Sequence, residues 1–246
     1  MQTPAQFVLL TLSLSVAALA QDQPQMSRLY RTEVPLDSTA EFFAVQRDTA
    51  EIYKANKASF ARHCWTSLAG VQMFYMRVPL SGLDQLTGDT WLQKQGTEMQ
   101  RAGRMSRLRN SSGRNEVLII TSQPEESWDD TPNDAPDPFA TVTIDRVKPG
   151  KTREYRALTK EAGAAFKRMG KAKAFRVSRV TYGGNTYEFI VYIGYSSLAE
   201  ITFVEDFRKA MGAKYDEFIR KMSEALDSRE RTIVRYRPEF SYMPAN

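Results

Sequence analysis

"VPLDSTAEFFAVQRDTAEIY" (residues 34–53) and "VKPGKTREYRALTKEAGAAF" (residues 147–166) decide how this chain is organised. They share little identity. Yet Phe42, Val45 and Tyr53 of the first fall opposite Tyr155, Leu158 and Phe166 of the second, at an offset of 113 residues. These positions carry the apolar stripe of an amphipathic helix. The match continues outward. "RHCWTSLAG" (62–70) parallels "RVSRVTYGG" (176–184) at 114, and "FYMRVPLSGLDQL" (74–86) parallels "FIVYIGYSSLAEI" (189–201) at 115. "IITSQPE" (119–125) parallels "IVRYRPE" (233–239) at 114. An offset that holds near 114 over four segments reads as an internal duplication.

Each copy spells strand, helix, strand, strand, helix, strand. In the second copy "PFATVTIDRV" (138–147) is a strand, and Pro149-Gly150 turns the chain into a helix over about 151–169. "AFRVSRVTY" and "YEFIVYIGY" are strands joined at Gly183-Gly184-Asn185. Ser197 to Glu200 forms a capping box before the next helical region, 214–226, and "RTIVRYRPE" (231–239) is the last strand. Ser38 to Glu41 is the matching cap in copy one. Between the copies lies "PEESWDDTPNDAPDP" (124–138), with four prolines, six acids and no base, which is linker composition. Its Trp128 either docks on a domain or stays partly exposed. The expected organisation is therefore a first domain over 26–123, a linker over 124–138 and a second domain over 139–240.

Two βαββαβ copies are two ferredoxin-like units. Their element order, the "VKPGK" step into a helix and the tandem arrangement resemble the dimeric α+β barrel superfamily, of which NIPSNAP-like and antibiotic-biosynthesis-monooxygenase-like proteins are examples. The resemblance implies an α+β fold in which two four-stranded sheets pack sheet to sheet under a coat of helices. Here both sheets would come from one chain, giving a monomer with an internal pseudo-dimer. It also implies, for some relatives, haem binding or cofactor-independent oxidation of activated aromatics.

The first twenty residues stand apart. "FVLLTLSLSVAAL" (7–19) is too short to span a bilayer, and Ala18-Leu19-Ala20 is an A-x-A cleavage signal. The expectation is a signal peptide over 1–20, cut after Ala20, and an exported protein, periplasmic or extracellular. Its first residues carry no Lys or Arg. A formal net charge of +5 over 246 residues is too weak to argue for nucleic acid. One cysteine and one histidine exclude an intrachain disulfide and a Cys/His zinc site. Arg101, Arg104, Arg107 and Arg109 form either a solvated helix face or an anion site.

Those two single residues are neighbours in "RHCWTS" (62–67). A Cys-His dyad needs both side chains on one face, and adjacent strand residues point to opposite faces. Hairpin register, taken with a three-residue Leu68-Ala69-Gly70 loop, pairs His63 with Tyr75 and Trp65 with Met73. His63 and Trp65 then face the barrel, and Cys64 faces the helix-packed core. The same sorting places Tyr75, Arg77, Glu188 and Tyr192 inside, with Val177 and Arg179 as the copy-two counterparts of His63 and Trp65. On the outer strands it suggests Tyr30, Thr32, Thr143, Asp145 and Arg235. A mixed aromatic and charged lining suits a small organic ligand held between the sheets. The alternative is a cofactor-independent monooxygenase or a haem-handling enzyme using His63 as base or axial ligand. No nucleotide-binding, metalloprotease or nucleophile-elbow motif is present.

Overall fold

A computed structural model describes residues 24–86, 91–131, 136–201 and 204–244. The expected signal peptide lies outside the described residues, as do residues 132–135 of the expected linker. Copy one supplies β1 (Met26–Glu33), α1 (Thr39–Ala55), β2 (His63–Ser67), β3 (Met73–Leu80), α2 (Glu98–Ser111) and β4 (Asn115–Ser122). A two-residue strand, β5 (Trp128–Asp129), follows. Copy two supplies β6 (Phe139–Val147), α3 (Thr152–Met169), β7 (Ala174–Tyr182), β8 (Glu188–Tyr195), α4 (Val204–Met211), α5 (Tyr215–Ala225) and β9 (Leu226–Tyr236).

The strands of copy one lie in the order β4-β1-β3-β2 and those of copy two in the order β9-β6-β8-β7. The copies join edge to edge at both seams: β2 pairs β9 with Trp65 opposite Tyr236, and β4 pairs β7 with Thr121 opposite Arg179. The two sheets thus close into one eight-stranded barrel, and closure leaves neither sheet an open edge. Every pairing is antiparallel. Equivalent strands of the two copies therefore run the same way, so the internal pseudo-twofold lies along the barrel axis.

Helices cover the outside because each carries one apolar stripe. In α3, Tyr155, Leu158, Ala162, Ala165 and Phe166 are buried against Val177, Phe189, Val191 and Ile193 of the sheet, and Gly170, at φ +67°, ends the helix. The α1 stripe, Phe42, Val45 and Tyr53, covers copy one, although Ser38 makes no side-chain cap. Copy one's outer core is small: Val34, Phe42, Cys64 and Phe74, completed by Phe240 from the far end of the chain.

Phe240 belongs to a reciprocal clasp. After β9 the chain makes a short turn at Pro238–Phe240 against α1, and after β4 an equivalent turn at Pro124–Glu126 packs against α3. Arg237 N–H donates to Cys64 O, and Gln123 N–H donates to Val177 O, each crossing a seam. The fully buried Arg62 donates to Phe240 O and Gln46 Oε1, with its guanidinium 5.7 Å from the Tyr53 ring centre. On the other side Arg156 Nε donates to the buried Glu126 at 2.6 Å, and Trp128 Nε1 donates to Gly163 O at 2.8 Å. Residues 124–131 are therefore docked on copy two, and Trp128 docks with them.

Register corrects part of the face assignment. In β2–β3, Trp65 lies opposite Tyr75 and His63 opposite Arg77, a shift of two that keeps the parity. In β7–β8, Ser178 lies opposite Ile190 and Arg176 opposite Tyr192. That is one residue away from an even-numbered turn, so Arg176, Ser178 and Val180 face inward while Val177 joins the helix-side core. The turn is held by Gly183 at φ +83°, where a Cβ would meet Val117 O at 2.3 Å.

Candidate functional site

Inward-facing residues of seven strands enclose a cavity of about 80 Å³: Leu29, Arg31, Trp65, Tyr75, Arg77, Ile120, Val142, Ile144, Arg176, Ser178, Ile190 and Tyr192. One water needs about 10–15 Å³, so the space holds several waters or a compact organic group. The register explains why the centre is hollow. The Trp65–Tyr75 pair of copy one corresponds to the Ser178–Ile190 pair of copy two. An indole therefore faces a hydroxymethyl across the pseudo-twofold, and the volume copy two lacks is the cavity.

Three guanidinium groups line it. Arg31 reaches Glu188 at 2.8 Å and Glu116 at 3.4 Å, and Glu188 also meets Arg146 at 3.4 Å. Arg176 binds Asp129 at 2.5 Å, lies 3.7 Å from Asp137 and sits 5.0 Å above the Tyr192 ring. Arg77 Nε donates to Ser27 Oγ at 3.0 Å. Tyr192 Oη donates to Asp137 at 3.3 Å. Burial pushes the Tyr75 and Tyr192 hydroxyls up, and Asp137 reinforces the shift at Tyr192, so both phenols stay protonated at neutral pH.

His63 lies in the same layer as Arg77, Arg176 and Tyr192, since His63–Arg77 is the copy-one equivalent of Arg176–Tyr192. Its ring packs 6.0 Å from Trp65 and 6.5 Å from Tyr236, just outside the cavity wall. Burial, then Arg77 and Arg176, push its pKa down to about 4. It is a neutral imidazole at pH 7, and its Nδ1 is buried without a hydrogen-bond partner. Cys64, on the opposite face, is fully buried, with its Sγ 3.2 Å from Phe240 O. Burial pushes that thiol up, away from nucleophile chemistry.

Of the residues expected inside, Trp65, Tyr75, Arg77 and Tyr192 stand on the cavity wall. Glu188 lies behind it, as the buried counter-ion of Arg31. Arg235 does not face the barrel: it is exposed, because its neighbour Val234 takes the interior position. Tyr30, Thr32, Thr143 and Asp145 also have the other parity. The buried Asp145 accepts from Tyr155 of α3 at 2.7 Å and from Arg229 at 2.6 Å, a polar cluster under the helix. Sequence reasoning missed Arg31, Arg176 and Ser178. For the latter two, an odd-numbered Gly183-Gly184-Asn185 turn was the available signal. Arg107 is tied to Glu41 and Asp48, and Arg104 donates to Leu92 O and Gln95 O, so these two serve helix packing. Haem does not fit: a porphyrin is far larger than the cavity, and His63 is packed away from its wall. Among the described residues no group of three or more His, Cys, Asp or Glu is placed to hold a metal ion, and no helix is long and apolar enough to cross a membrane.

No protein-family profile and no curated protein matches the chain. Solved structures do. A candidate monooxygenase from Fusobacterium nucleatum superposes over 87% of this chain and 92% of its own, with a TM-score of 0.62 at 12% identity. The chain has the dimeric α+β barrel fold. A candidate monooxygenase from Lactobacillus acidophilus gives 0.56 at 12% identity, covering 87% of this chain and 94% of its own. An anthrone oxidase-like protein gives 0.57 at 10% identity, covering 88% and 93%. These structures match both halves of the chain together, as a tandem duplication requires. At such identity they speak to fold alone.

Proposed function

We propose that this protein is exported and binds a small organic molecule inside its barrel. The observation that carries the reading is the cavity itself: an apolar and aromatic wall with a few placed polar groups, open enough that Arg31, Arg77, Arg176 and Ser178 keep partial exposure. A packed barrel would have matched Trp65 with a second large side chain. Export rests on the A-x-A signal at 18–20. Thermal-shift screening of the mature chain against small aromatic and aliphatic acids, amides and amines tests the binding reading. A hit should be abolished by Ser178→Leu, which fills the space. A screen in which no compound raises Tm, or hits indifferent to that substitution, counts against it.

A second reading is supported by His63 and by the names of the structural neighbours. In a cofactor-independent oxidation, a base removes a proton from a ring-activated CH₂ group and the carbanion reacts with O₂, so that CH₂ and O₂ become C=O and H₂O. His63 is neutral and its Nδ1 has no partner, as a base requires. Its depressed pKa makes it a weak base, and it stands behind the wall, which favours the binding reading. Oxygen uptake with an electron-rich hydroxyanthrone, wild type against His63→Gln, decides between them. Turnover lost in the variant supports catalysis, and no turnover in either removes it.

A further inference from the structure

We infer that the ligand of this cavity is a small organic anion, recognised by the arginines and hydroxyls of its wall. The inference rests on the binding reading above. The polar atoms of the wall are donors or hydroxyls; no carboxylate stands on it. The acids that balance the arginines lie behind, Glu188 on Arg31 and Asp137 near Arg176.

Charge points the same way. Arg31 and Arg176 stand on the wall, and the carboxylates paired with them do not. The imidazole behind the wall is held neutral by burial first, and Arg77 and Arg176 add to the effect. A carboxylate or phenolate oxygen meets donors and positive potential here, an amide oxygen meets the donors only, and an ammonium group meets neither. Apolar Leu29, Ile144 and Ile190 take the ligand's body. At about 80 Å³ the space is roughly half the cavity that admits benzene in an engineered core, so the ligand is compact or projects out of it.

Benzoate, benzamide and benzylamine form a test series of one shape and three charges. The readout is the indole ¹H–¹⁵N spectrum of the full mature chain. It has three tryptophan signals, of which Trp65→Phe assigns one. Benzoate should move the Trp65 signal in a saturable way and bind at least tenfold more tightly than benzamide, and benzylamine should leave it in place. Trp128, already bonded to Gly163 O, should stay unmoved. Benzamide or benzylamine binding as tightly as benzoate overturns the anion assignment and leaves the cavity standing. If no member of the series moves the Trp65 signal or the Ile144 and Ile190 methyls, the binding reading falls as well.

Discussion

The lone histidine makes one prediction unusually clean, because no other imidazole contributes to the signal. His63 is 8% exposed and lies among Trp65, Tyr236, Arg77 and Arg176, and its pKa falls from 6.5 to about 4. The unfolded chain therefore binds a proton that the folded chain refuses between pH 6.5 and about 4. Stability from this group is complete above pH 6.5 and is lost as pH falls toward 4. Linkage gives about 2 kcal/mol lost between pH 7.5 and pH 5, or about 4–8 °C in Tm for a chain of this size. Carboxylates add their own slope at low pH, so the assay is the difference between wild type and His63→Gln, unfolded in urea at both pH values. Wild type should lose about 2 kcal/mol more than the variant over this interval, and the His63 ring protons should titrate near 4 by NMR. A ring that titrates near 6.5, or equal losses in the two proteins, would refute the buried neutral imidazole.

Other outcomes follow from particular contacts. Phe240→Ala removes a fully buried ring that completes copy one's core and should cost about 3–5 kcal/mol, with the loss seen equally by reporters in both copies during urea unfolding. Two separated transitions would show that the clasp does not couple them. Ser178→Leu should leave Tm within a few degrees, since it enters existing space, while lowering ligand affinity at least tenfold by calorimetry. Both sheet edges are already closed within the chain, so native mass spectrometry of the protein should give a monomer of one chain; a stable dimer would contradict that.

The sequence carried the fold further than the site. A duplicated pattern, capped helices and strand alternation are written in side-chain periodicity, and two copies of βαββαβ leave few ways to bury two apolar sheet faces. The position of Trp65, Tyr75, Arg77 and Tyr192 was legible because one hairpin fixes parity even when its register slips by two. Parity failed in β7, where the turn is odd, and on β1, β6 and β9, which no hairpin joins to a neighbouring strand. There, polarity misled. Asp145, Thr143 and Thr32 are polar yet face the helices, because Tyr155 and Asn115 supply hydrogen bonds and Arg229 and Arg231 cover them. Closure by edge pairing depends on contacts between residues far apart in the chain, Thr121 with Arg179 at 58 positions and Trp65 with Tyr236 at 171, and no local pattern encodes those.

The central claim is that a small molecule occupies the space between Trp65 and Ser178. Intermolecular NOEs between a saturating benzoate and the methyl groups of Ile120, Val142, Ile144 and Ile190 test it most directly, because these four belong to three different strands and meet only inside the barrel. The account predicts contacts to all four, lost in Ser178→Leu. Contacts confined to outward-facing side chains, with the four methyls silent at saturation, would contradict it.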